Sequence, residues 1–142
     1  MKTAFIMSES IRESVINQRA IDYFSALGEV AFNTGSTGKD SVMKTIEGAD
    51  IAITSWGNTA IDKEILSVCP DLKLVAHAAG SVKPIVSDDL WEKGVRVLSS
   101  ACPLGEGVAE TALGFTISAS KNFYNLNSSL RNGGWNEGKE NI

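Results

Sequence analysis

The segment from Asp50 to Ser99 decides the fold. It opens with D-I-A-I-T-S at Asp50 to Ser55, continues with L-K-L-V-A at Leu72 to Ala76, and closes with V-R-V-L-S at Val95 to Ser99. Each run is short and apolar, which is how a buried strand reads. Between the first two runs, Asp62 to Val68 predicts a helix that ends before Pro70. Between the last two, Ser87 stands as a cap, Asp88 and Asp89 fill a first turn, and Gly94 supplies the stop. Strands separated by single helices form a parallel sheet, because the crossover helix returns the chain in the same direction.

The pattern extends outward in both directions. Lys2 to Met7 reads as a strand, and Ser10 caps one helix carrying Ile11, Val15, Ile21, Phe24 and Leu27, stopped by Gly28. Glu29 to Asn33 is the next strand, Ser36 to Gly38 a turn, and Val42 to Ile46 a short helix ended by Gly48. After Pro103 a single long helix carries Val108, Thr111, Ala112, Phe115, Ala119, Phe123, Leu126 and Leu130 on one face, up to Gly133 and Gly134. The tail, Asn136 to Ile142, reads as polar and frayed. The expectation is an α/β fold: a five-stranded parallel sheet with helices on both faces, plus a long C-terminal helix. Ligands of such sheets bind beyond the carboxyl ends of the strands. Four loops qualify by sequence: Thr34 to Lys39, Trp56 to Thr59, His77 to Pro84, and Ser100 to Gly107.

Composition narrows the function. With 142 residues, 43% of them hydrophobic and 21% charged, the chain can bury a core without a disulfide or a metal. Thirteen basic against 17 acidic residues leave a net charge of -4, which argues against nucleic acid as a partner. No run approaches the ~18 apolar residues of a membrane span, and the apolar start Ala4 to Met7 is too short for a signal peptide. A cytoplasmic location is expected. Cys69 and Cys102 are expected free, and one histidine with two cysteines offers no metal-ligand spacing, so no metal is expected.

Several motif-like features fail on their chemistry. Gly35-Ser36-Thr37-Gly38-Lys39-Asp40 resembles a phosphate loop, but its glycines stand too close and Asp40 occupies the hydroxyl position, so it reads as a turn. Gly105-Glu106-Gly107-Val108-Ala109-Glu110 follows G-x-G-x-x-G until Glu110, an acid that would repel a pyrophosphate. His77, the only histidine, has no carboxylate beside it in sequence to orient it as a base. Trp56 opens one of the ligand loops and is a candidate pocket wall. Trp91 and Trp135 stand far from it in sequence. Cys102 has no base at hand for nucleophilic use. The glycosylation triplet at Asn127 has no secretory signal to give it meaning.

From Thr54 to Trp135 the blocks follow a recognisable order: P-D-L-K-L-V at Pro70 to Val75, G-V-R-V at Gly94 to Val97, and V-A-E at Val108 to Glu110 opening the long helix. This series resembles the D-isomer-specific 2-hydroxyacid dehydrogenases, the family of D-3-phosphoglycerate dehydrogenase. The resemblance implies a flavodoxin-like substrate-binding domain over residues 1–104 and a connecting helix over 105–135. In the family that helix leads to a Rossmann domain that holds NAD or NADP. It also implies that the family's catalytic Arg, Glu and His lie beyond this sequence, so no catalytic residue is expected within it.

The resemblance assigns the loop after the fourth strand to the substrate carboxylate, through Gly80, Ser81 and Val82, with His77 and Lys83 as further contacts. The family's G-x-G-x-D is replaced here by Ala79, Ser81 and Lys83 at its three fixed positions. Trp56 and Gly57 match a substrate-lining segment, and Val108 matches a position near the nicotinamide. The expected substrate is a small 2-hydroxy or 2-keto acid. The chain is expected to be a truncated enzyme that is inactive alone, binds no cofactor strongly, and self-associates through its long helix. The alternative is a standalone flavodoxin-like module that binds a small carboxylate without chemistry. A receiver domain is discounted, because Ser8-Glu9 and Ser55-Trp56 stand where its acids would be.

Overall fold

The computed structural model describes residues 1–135, so the tail read at 136–142 lies outside the described residues. The chain divides into two compact units, Met1–Cys102 and Pro103–Ile142.

In the first unit, β1 (Lys2–Phe5), β2 (Glu29–Phe32), β3 (Ile51–Thr54), β4 (Leu74–His77) and β5 (Arg96–Ser99) form one parallel sheet in the order β2-β1-β3-β4-β5. The helices of this unit are α1 (Glu9–Val15), α2 (Gln18–Leu27), α3 (Lys39–Ile46), α4 (Lys63–Val68) and α5 (Asp88–Glu92). Side chains alternate across a strand, so each strand feeds two cores. Ala4, Ala52 and Val75 pack with Val42 and Ile46 of α3, Ile65 of α4 and Leu90 of α5. Phe5, Met7 and Ile53 point the other way, against Ile11 and Val15 of α1 and Phe24 of α2. Phe5 meets Phe24 edge-on at 5.8 Å between centroids. Ser87 caps α5 where the sequence places it, and Asp62 caps α4. Asp62 accepts from Glu64 and Ile65 N–H at 3.1 Å, and Ser87 accepts from Leu90 N–H at 3.1 Å.

Three expectations are corrected. The single helix capped by Ser10 and running to Leu27 is two helices, and the first starts at Glu9 with Ser8 at the N-cap position, so Ser10 lies inside it. Ile16 is extended, and Asn17 restarts the chain by accepting Ala20 N–H at 2.9 Å. The reason is phase: Val15 and Ile21 are six positions apart, which puts them on different faces of one continuous helix. The long helix is likewise two, α6 (Ala101–Ser120) and α7 (Phe123–Arg131). Asn122 interrupts it with φ 51°, a left-handed conformation that asparagine tolerates. The fourth ligand loop, Ser100 to Gly107, is not a loop: α6 begins at Ala101, immediately after Ser100. Pro103 is compatible with this because a first-turn N–H has no intrahelical partner to lose.

None of the residues of α6 or α7 is buried. Phe115 is 72% exposed and Phe123 53%. Between Ala101 and Ser120 only Glu106 and Glu110 carry charge, so α6 is apolar nearly all round.

Candidate functional site

The carboxyl ends of β3 and β4 lie side by side, with Thr54 opposite His77. Both side chains are buried, and Thr54 Oγ1 lies 2.8 Å from His77 Nδ1. The chain leaving β4 is tied down at its base. Ala78 N–H donates to Thr54 C=O at 2.8 Å, Ser55 Oγ donates to Ala78 C=O at 3.1 Å, and Ser100 N–H is shared between the carbonyls of His77 and Ala79. The far end is anchored too. Val82 C=O accepts from Ile85 and Val86, Ile85 is buried, and Ile85 C=O accepts Ile61 N–H at 2.9 Å.

Between these anchors, the N–H groups of Gly80, Ser81, Val82 and Lys83 have no acceptor among the described residues. Ser81 and Lys83 are exposed, Gly80 and Val82 half-buried. Consecutive unpaired N–H groups are the material of an anion-binding concavity. The Lys83 ammonium has no ion-pair partner among the described residues. Burial holds the His77 imidazole below its ordinary pKa, against an opposing pull from the Ser81 backbone, so the ring is neutral at neutral pH.

The neighbouring loops are tied by side chains as well. After β2, the buried Asn33 side chain donates to Ser36 C=O at 3.0 Å and accepts from Gly35 N–H and Ser41 Oγ. Thr37 Oγ1 donates to Gly57 C=O at 2.6 Å, joining this loop to the one after β3. Gly57 sits at φ 78°, where a side chain would be strained. Lys39 pairs with both Asp62 and Glu64, and its hydrogen bond holds the Asp62 carboxyl below the usual carboxylate range. The lysine of the phosphate-loop lookalike is therefore committed to carboxylates. Trp56 is 52% exposed at the rim, while Asn58 is buried with both amide atoms unpaired.

His77, Gly80, Ser81, Val82 and Lys83 thus stand on β4 and one loop, and Trp56 and Gly57 on the loop of the adjacent strand. Val108 lies on α6, in the second unit, and is exposed. Sequence reading missed Thr54 and Asn58. Thr54 was detectable as a polar residue closing an otherwise apolar strand, whereas nothing local marks Asn58 as buried. The segment Gly105 to Glu110 lies inside α6, not at a strand-to-helix turn, so its glycines form no cradle for a dinucleotide. The described residues do not fit that cofactor, and no step is assigned to it. Cys102 is exposed on the first turn of α6, and burial raises the Cys69 thiol to about 11. Among the described residues there is no cluster of potential metal ligands, and no helix is long and apolar enough to cross a membrane.

A five-stranded parallel sheet in the order β2-β1-β3-β4-β5, with helices on both faces, defines an α/β domain of the class whose ligand sites lie beyond the carboxyl ends of the strands. The D-isomer specific 2-hydroxyacid dehydrogenase catalytic domain matches residues 6–133, and the chain belongs to that family. It is 28% identical over 120 residues to the D-3-phosphoglycerate dehydrogenase of Methanocaldococcus jannaschii, covering 84% of this chain and 22% of that protein. It is 28% identical over 97 residues to the hydroxypyruvate reductase of Thermotoga maritima, covering 68% of this chain and 31% of the relative. The chain thus spans between about a fifth and a third of these relatives' length. The solved structure of the PH0520 protein from Pyrococcus horikoshii shares the fold, with a TM-score of 0.71 and 19% identity over 96% of this chain and 38% of that one.

Proposed function

We propose that this chain is the substrate-binding part of an NAD(P)-dependent 2-hydroxyacid dehydrogenase, acting in the cytoplasm on a small 2-hydroxy or 2-keto acid. The observation that carries the proposal is the run of N–H groups from Gly80 to Lys83 that find no acceptor among the described residues, held at one end by the sheet and at the other by Ile61. Those donors take the substrate carboxylate. Lys83 adds positive charge, His77 supports the loop, and Trp56 and Gly57 line the neighbouring side. The chain's own residues bind and orient the acid, and Val108 is assigned to the nicotinamide side. The nicotinamide supplies the hydride chemistry, and the described residues hold no group that does so. Residues 1–104 form the binding domain in this reading, and 105–135 the connection to the cofactor domain.

The exposed apolar surface of α6 favours this reading over a standalone module, since a helix apolar on most faces requires cover. A second copy of the chain is proposed as that cover when the chain is studied alone, and light scattering that returns a monomer rejects it. The main test is titration of the isotope-labelled chain with glyoxylate or pyruvate. Shifts concentrated at the amides of Gly80 to Lys83 are expected, with no NADH oxidation by the chain alone. Shifts elsewhere, or none, overturn the assignment of the loop.

A further inference from the structure

The helices of the first unit do not cover the two faces of the sheet equally. On one face, Val75 of β4 and Val97 of β5 pack in the core that α3, α4 and α5 close. On the other, α1 and α2 pack on Phe5, Met7 and Ile53, and that cluster reaches no further across the sheet than Ala76 of β4. Strand alternation puts Leu74 and Ala76 of β4, with Arg96 and Leu98 of β5, on this second face, where Leu74 is paired with Arg96 and Ala76 with Leu98. Leu98 is 59% exposed. A groove of about 630 Å³ lies here, lined by Leu74 and Leu98 and by Lys73, Lys93 and Arg96 near the amino ends of the two strands. A second hollow, at Ala76, Leu98 and Ser100, continues it towards their carboxyl ends. Lys93 and Arg96 have no ion-pair partner among the described residues. The strip is therefore cationic at one end and apolar along the rest.

We propose that this strip is the seat of α6 from a second copy of the chain. Charge and length select that occupant. The only charges between Ala101 and Ser120 are the acids Glu106 and Glu110. With Leu113 and Ile117 they form one helical stripe at i, i+4, i+7 and i+11. Its first half is anionic, and its second half is apolar and exposed. Glu106 to Ile117 spans about 16.5 Å along a helix, and Lys73 to Ala78 spans about 16.5 Å along a strand. Glu106 and Glu110 meet Lys93 and Arg96, while Leu113 and Ile117 cover Ala76 and Leu98. In a two-fold pair each copy gives its α6 and offers its strip, so the contact is made twice. This inference rests on the reading that a second copy covers α6, and it names the surface that does so.

The test uses the full 142-residue chain and light scattering over a dilution series, with circular dichroism as the check on folding. Two double variants each reverse the charge of one side: Lys93→Glu with Arg96→Glu on the strip, and Glu106→Lys with Glu110→Lys on the helix. Each alone sets like charges face to face, and its association constant is expected to fall about tenfold or more. Mixed in equal amounts, the two variants restore opposite charges in both contacts, and the mixture is expected to associate within about threefold of wild type. Loss of fold cannot produce that rescue. Should a charge reversal not fold, Leu98→Asp at an exposed position decides, with a similar loss expected. Wild-type association in the folded strip variant or in Leu98→Asp overturns the seat, as does a mixture of folded variants that associates no better than its components. A wild-type chain that stays monomeric at every concentration overturns the second copy as the cover of α6 instead, and the seat with it.

Discussion

Two loops leave the same edge of the sheet and are held in different ways. The loop after β2 is tied from within: Asn33 alone engages Ser36, Gly35 and Ser41, and Lys39 is consumed by Asp62 and Glu64, although the Thr34, Ser36 and Thr37 N–H groups find no acceptor among the described residues. The loop after β4 is fixed only at its ends and leaves four consecutive N–H groups without an acceptor among the described residues. The first has two glycines and a lysine before a helix, but its spacing already reads as a turn, and the carboxylate is expected on the second. The structure adds a physical reason at the first loop. A phosphate-loop composition loses its cation once the lysine has internal partners, whereas a plain loop keeps capacity for an anion when its tethers stop short of its N–H groups.

The largest effect should come from breaking the internal ties of the loop after β2. Asn33→Ala removes three hydrogen bonds from a fully buried side chain. A loss of about 2–3 kcal/mol in unfolding free energy is expected, because buried partners are left unsatisfied. Glyoxylate affinity should not change. Chemical denaturation and titration check the two halves, and an affinity loss as large as the stability loss would show that the two loops act as one site.

A smaller effect, of opposite sign, is expected at Asn58. Its buried amide has neither donor nor acceptor matched. Asn58→Leu has similar shape and removes the unpaired groups, so a gain of about 1 kcal/mol is expected. Thermal unfolding with and without glyoxylate decides it: destabilisation that appears only with ligand present makes Asn58 a ligand contact.

These two positions also mark what the sequence could and could not reveal. The strand-helix alternation, the Asp62 and Ser87 caps, and the sheet's ligand-binding edge are written in local pattern, because periodicity and capping act over a few residues. The breaks at Asn17 and Asn122 were missed because an apolar stripe continues across each, and only the phase slip and the asparagine betray them. The Thr54–His77 pair joins residues 23 apart in sequence and exists only once β3 and β4 are in register. Likewise, a loop's unpaired N–H groups are the result of every other hydrogen bond being assigned, so they are legible only in three dimensions.

The third comparison uses pH. His77 has a lowered pKa in the folded chain, so its contribution to stability is complete above the unfolded value of 6.5 and is lost as pH falls through the lower folded value. Asp50 and Asp62 are also lowered, the first by the Lys2 backbone N–H and Lys73, the second by Lys39, and their contributions go only below 3.8. Denaturation midpoints measured from pH 8 to 3 should therefore fall in two steps. The step nearer neutrality belongs to the β4 side and should vanish in His77→Gln. Its persistence there would assign the step to another group.

The smallest effect tests whether the open loop's side chain matters beside its backbone. Lys83 is exposed and without an ion-pair partner among the described residues, so its charge is free to act on a ligand but is screened by water. Lys83→Glu should weaken glyoxylate binding about threefold at low salt, and the difference should disappear near 1 M salt, where the screening length is about 3 Å. Lys83→Gln should fall between the two. A threefold loss that survives high salt would mean that Lys83 makes a direct bond. The backbone alone would carry the anion if neither variant changed affinity at any salt concentration. Either result leaves the contrast between the two loops intact, because it rests on the internal ties of Asn33 and Lys39 in the one and on their lack among the described residues in the other.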